Sequence, residues 1–130
     1  MDTLPPEVRA VINYEGGEVL VGCWFAYHRY EHNNLFDKML GQSWDYEGYL
    51  ILTTARTIFV HKEGTIRATY EVIPHLSQRL EEIHEISVRG RDLFVGGECY
   101  KIAGARVEAV RDQFRQVVAA RYQGTDLDVA

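Results

Sequence analysis

The chain has 130 residues, 46% hydrophobic and 25% charged, a mix that excludes a disordered chain and fits one globular domain. Its net charge of −5, from 19 acidic and 14 basic residues, argues against a dedicated nucleic-acid binder, which needs a basic face to meet phosphates. All of the acidic excess falls in residues 1–50, where eight acids face three bases. No apolar run is long enough for a transmembrane helix, the first residues show no signal-peptide pattern, and cytoplasm is the default expectation.

In chain order, residues 5–13 read as a short helix. Thr3 can cap it, Pro5 and Pro6 suit a first turn, and Val8, Val11 and Ile12 share one face. Residues 18–27 are β-branched and aromatic and read as a strand apolar on both faces, with Gly22 a candidate bend. Residues 28–47 have no clean period and read as a long acidic-aromatic loop. Strands follow at 48–53, 57–62 and 65–72, the last with Ile66, Ala68, Tyr70 and Val72 inward, after a turn at Glu63-Gly64. Residues 75–82 are polar and read as loop or one helical turn. Strands at 83–89, 92–95 and 98–102 are separated by Gly90-Arg91 and Gly96-Gly97. Residues 105–122 carry one apolar stripe, Val107, Val110, Phe114, Val117 and Val118, and predict an amphipathic helix closed by Gly124. The division is thus one domain over 1–124 and a frayed tail at 125–130.

About seven antiparallel strands and a C-terminal amphipathic helix predict an α+β, mainly β fold: a curled barrel or sandwich whose open end the helix plugs. Three motifs carry a resemblance to a known family. One is Leu4-Pro5-Pro6-Glu7-Val8 followed by Gly17-Glu18-Val19-Leu20. Another is Gly48-Tyr49-Leu50-Ile51-Leu52-Thr53-Thr54-Ala55-Arg56-Thr57-Ile58-Phe59, and the last runs from Val72-Ile73-Pro74 through Ile83 and Ile86 to the terminal helix. Together they resemble the pleckstrin-homology-like (PH-like) superfold, in its GRAM-like and bacterial PH-like branch. The resemblance implies a PH-like barrel and, as a family property, a lipid- or phosphoinositide-binding surface.

Few residues point to chemistry. His28 and His32 have a spacing that can place two imidazoles on one helical face, yet lack the acid that follows the first histidine in metalloproteases. They are expected to be exposed loop histidines, with a small metal-dependent enzyme as the lesser reading; no metal or cofactor is expected. Cys23 and Cys99 are expected to be buried thiols, a bridge staying open should their strands be neighbours. The anion or lipid alternative rests on Arg29, Lys38, Arg89 and Arg91, too few and too mixed with acids for a polybasic surface. The favoured candidates are Phe36, Met39, Leu40, Trp44 and Tyr46, aromatic and apolar groups of the kind that anchor protein partners. The expectation is a non-enzymatic interaction module binding a protein partner or itself through residues 28–47 and a sheet edge, with no nucleic-acid partner. A membrane surface is the disfavoured alternative.

Overall fold

The structure, a computed structural model, describes residues 4–29, 46–64 and 66–126, with side chains as far as residue 121. Among them the fold is α+β and mainly β. The helix α1 (Pro6–Arg9) precedes the strands β1 (Leu20–Arg29), β2 (Tyr46–Thr53), β3 (Arg56–Glu63), β4 (Thr69–Val72) and β5 (Gln78–Arg79). Then come β6 (Ile86–Arg89), β7 (Asp92–Val95), β8 (Glu98–Ile102) and the helix α2 (Val107–Asp126). All pairings are antiparallel, in the order β4-β3-β2-β1-β8-β7-β6, with β5 a two-residue addition to β3. The result is a single curled sheet that does not close.

Hydrophobic burial explains the curl. The concave side holds Leu50, Leu52, Phe59, Leu93, Val95 and Tyr100, against Val107, Val110, Phe114 and Val118 of α2. The predicted stripe is therefore the plug of the core, and Phe114 meets Trp24 of β1 with ring centroids 5.7 Å apart. On the convex side Leu4, Val8 and Ile12 cover Ile51, Ile58 and Val60. The centres of β2 and β3 are thus buried on both faces, which is why Leu50-Ile51-Leu52 and Ile58-Phe59-Val60 are unbroken apolar runs. Two glycines are required by close approach. A Cβ on Gly48 would strike the Val60 carbonyl, and one on Gly22 would strike the Trp24 ring, next to a register shift between Leu20 and Gly22.

Several expectations are corrected. The N-terminal helix is one turn, Pro6–Arg9, ended at Ala10, and Thr3, its expected cap, lies outside the described residues. The strand expected from residue 65 pairs only over Thr69–Val72, and Ile66, expected inward, is fully exposed on the connection from β3. The stretch 75–82, expected as loop or one helical turn, holds more than one turn and the short β5. Two 3₁₀ turns, Pro74–Leu76 and Leu80–Glu82, drop Leu76 and Leu80 into the core, and Ile83 follows them. The next strand consequently begins at Ile86 rather than 83. Helix α2 starts at Val107 and continues past Gly124 to Asp126. Of the loop expected at 28–47, His28 and Arg29 instead complete β1 and Tyr46 and Glu47 begin β2, while residues 30–45 lie outside the described residues.

Candidate functional site

The clearest departure from the sequence reading is His28. It is a fully buried strand residue, not an exposed loop histidine. The β1 register pairs it with Tyr46 on β2 and with Tyr100 on β8, so the imidazole lies between two tyrosines. Ring centroids are 6.0 Å to Tyr46, 5.2 Å to Tyr100 and 6.2 Å to Phe59. Its Nε2–H donates to the Glu98 carboxylate at 2.6 Å. Glu98 follows the Gly96-Gly97 turn and shares the inner face of β8 with Tyr100 and Ile102. An acid on the apolar side of a strand needs a partner, and that was the one sequence signal for this pair. Burial, then the nearby Glu98 and Cys99, push the Tyr100 phenol well above its ordinary pKa, so it stays protonated. Its hydroxyl has no hydrogen-bond partner among the described residues.

Tyr46 extends this cluster to the rim. It stands edge-on to His61 at 5.0 Å and 6.3 Å from His75. His61 in turn donates from Nδ1 to the Glu47 carbonyl at 3.1 Å. The arrangement gathers three imidazoles, two phenols and a carboxylate at the end of the sheet where β1 stops and β2 starts. Chemically it is an aromatic cluster anchored by the His28–Glu98 hydrogen bond, whose carboxylate acceptor makes it of the strong kind. Among the described residues no group of three or more His, Cys, Asp or Glu side chains is placed to hold a metal ion.

Of the favoured partner-binding residues, Tyr46 is half-buried against the core, while Phe36, Met39, Leu40 and Trp44 lie outside the described residues, as do Lys38 and His32. Three of the anion candidates come onto or beside one outer face of β1, β8, β7 and β6. Arg29 lies 3.9 Å from Asp92, and Arg89 lies 3.9 Å from Glu85 and 4.7 Å above the Phe94 ring. Arg91 is exposed in the β6–β7 turn. Lys101, which pairs in register with Tyr27 and Asp92, joins this face. Cations there alternate with carboxylates. Cys99 pairs with Arg29, six residues along β1 from Cys23, or about 20 Å of strand. No disulfide joins the two cysteines.

At a second polar centre the structure unites two motifs that are 35 residues apart. The Glu18 side chain is 1% exposed, and it accepts from Arg56 Nε at 2.9 Å and Nη2 at 3.1 Å. It also accepts from Thr53 Oγ1 at 2.5 Å and from the Glu15 amide at 2.9 Å. Burial alone would raise the Glu18 carboxyl. The hydrogen bonds from Arg56, Thr53 and Glu15 outweigh that and hold it below its ordinary pKa. Arg56 also donates to the Asn13 carbonyl, and Thr53 caps the β2–β3 turn through the amides of Ala55 and Arg56. The Glu of Gly-Glu-x-hydrophobic and the Thr and Arg of Leu-Thr-x-x-Arg are therefore the parts of one clasp. No protein-family model matches the chain, and no curated protein matches it.

Proposed function

We propose that the chain is a PH-like interaction module, not an enzyme, which binds a protein partner or a second copy through a sheet edge and the surface beside the 30–45 segment. The observation that carries this reading is the unequal treatment of the two sheet edges. At β6, Arg115 of α2 donates through Nε at 3.2 Å and Nη2 at 2.9 Å to the Ile86 carbonyl, and α2 packs along the strand. At the other edge, β4 has β3 on one side and, among the described residues, no strand on the other. An uncovered edge is a template for an added strand. Support for the PH-like part comes from the Glu18–Thr53–Arg56 clasp, which gives the motifs behind that resemblance a common structural task.

Charge favours protein over lipid. The outer-face cations alternate with Asp92 and Glu85, which suits a partner with interleaved charges better than a uniformly anionic membrane. No helix among the described residues is long and apolar enough to cross a membrane. A cytoplasmic setting belongs to the same proposal, supported by two cysteines that the β1 ladder holds too far apart to bridge.

The test is co-sedimentation with vesicles containing phosphatidylserine or a phosphoinositide at physiological salt. The chain is expected to stay in the supernatant. Micromolar, salt-sensitive binding that falls in Arg29→Ala or Arg89→Ala would overturn the protein-binding reading in favour of the lipid one.

A further inference from the structure

Helix α2 is held on the domain in two different ways along its length. Up to Val118 its apolar stripe is buried in the core. Ala119 and Ala120 are exposed, and the next side chain described, Arg121, meets the domain through charge: its Nε donates to Glu81 Oε1 at 2.7 Å. The helix then continues to Asp126.

That contact is one link in a series of four charged groups. Glu81 lies in the 3₁₀ turn Leu80–Glu82, and its other oxygen, Oε2, accepts from Arg79 Nε at 3.1 Å. Arg79, in β5, gives its two terminal nitrogens to Glu15, with Nη1–Oε1 at 2.8 Å and Nη2–Oε2 at 3.4 Å. Glu15 precedes β1, and its backbone amide donates to Glu18 in the buried clasp. One end of the series is therefore anchored, and the other end reaches a helix terminus, the part of a helix that opens most easily.

The two middle members are shared. Arg79 serves Glu15 with one part of its fork and Glu81 with another, and Glu81 serves one arginine with each oxygen. Each bond therefore holds a side chain in the orientation that the next bond needs, and the entropy of fixing it is lost once for two contacts. Isolated exposed pairs contribute little, and a network of well-oriented bonds is the exception. All four side chains keep between 36% and 47% of their surface exposed, so dissolved salt reaches and weakens every link.

We propose that Glu15, Arg79, Glu81 and Arg121 act as one ionic strap, which fastens the C-terminal end of α2 to the anchored turn before β1 and which ionic strength loosens. This conformational device is independent of the partner-binding reading above. It divides α2 into a core-held part, as far as Val118, and a charge-held end.

Amide hydrogen exchange of the whole chain, read by nuclear magnetic resonance as protection factors, tests the strap. Raising sodium chloride from about 10 mM to about 1 M should lower protection at residues 119–123 about fivefold and leave 110–114 unchanged. Glu81→Gln removes the shared charge, and should produce the same loss at low salt and abolish most of the salt response. Glu15→Gln alters a residue bonded to Arg79 rather than to the helix, yet should lower protection at 119–123 about twofold. Salt-independent exchange at 119–123 overturns the strap, because charge then does not hold the helix end. Unchanged exchange there in Glu15→Gln also overturns it, because Arg121–Glu81 is then a separate pair. Equal loss of protection along all of α2 overturns it as well, because the variants then report global stability.

Discussion

Glu18 and Glu98 are both carboxylates drawn into the protein, and the fold handles them differently. Glu18 is almost completely excluded from solvent and surrounded by donors: the forked Arg56 guanidinium, the Thr53 hydroxyl and the Glu15 amide. Glu98 keeps 28% of its side chain exposed and is held by one imidazole, that of His28, which has no exposure at all. A fully buried charge must have its acceptor sites filled, because no water remains to fill them. A carboxylate that still reaches water can lean on a single partner. The two centres also hold different things together. The Glu18 clasp binds the chain leading into β1 to the β2–β3 turn, whereas His28–Glu98 ties β1 to β8 beside the 30–45 segment.

The largest effect expected from breaking this pairing is at Glu18. Glu18→Ala leaves the Arg56 guanidinium without its carboxylate and the Thr53 hydroxyl with the Arg56 carbonyl as its remaining acceptor, and should cost about 3–5 kcal/mol in urea unfolding. That is a large part of a small domain's stability. A loss comparable to that of an exposed ion pair would show that the clasp is ornamental.

A smaller loss is expected at the other centre. His28→Ala opens a cavity among Tyr46, Phe59 and Tyr100 but leaves Glu98 able to hydrate, and should cost about 2–3 kcal/mol. The double change His28→Leu/Glu98→Leu removes both polar partners and fills the space, and should lie within about 1 kcal/mol of the parent. If the double variant is as unstable as His28→Ala, the pair is worth more than an apolar replacement and the contrast with Glu18 collapses.

Acid sharpens the comparison further. Because the folded Glu18 carboxyl is held below its ordinary value of 4.5, the native state keeps this group ionised at pH values where the unfolded chain takes up a proton. Its contribution is complete above that ordinary value and declines as pH falls through the lower, folded one. The stability difference between the parent and Glu18→Gln should therefore be constant near neutrality and shrink below about pH 4.5. A difference that grew on acidification would mean that the carboxyl is raised by its burial rather than lowered by its donors.

These two centres differ as much in legibility as in chemistry. Glu18, Thr53 and Arg56 stand in short motifs, so their importance was readable, although their mutual contact was not. His28 was misread because the strand pattern loses its contrast after Tyr27: His28 and Arg29 are polar, and nothing local says that β8 will bring Glu98 alongside, 70 positions later. Antiparallel strands and the amphipathic α2 were legible because their periods of 2 and 3.6 persist over several residues. Leu76 and Leu80 were missed because 3₁₀ turns bury isolated residues with no period to detect, behind Pro74 and among polar neighbours, whereas Ile83 was read as a strand residue and follows the second turn instead. Ile66 misled in the opposite way. Its place in an alternating run predicted an inward side chain, but Ile66 lies at a bend between β3 and β4, and the ladder begins only at Thr69. The edge at β4 was expected only in general terms, since which strand ends a sheet depends on pairing order rather than on the strand's own residues.

The smallest effect concerns a cation that is not buried, and it completes the series from enclosed to exposed partners. Arg115 lies on the outer side of α2 and gives both of its bonds to the carbonyl of Ile86. Water can replace those bonds in Arg115→Ala, and Val107, Val110, Phe114 and Val118 still hold the helix on the sheet. The melting temperature should fall by no more than about two degrees. The consequence should be local: amide exchange in β6 should quicken relative to β7 and β8, because β6 loses its cover while the pairing of β7 with β8 is untouched. Unchanged exchange at β6 would mean that the apolar face of α2 alone protects this edge, and that the two edges of the sheet differ only in having a helix beside one of them.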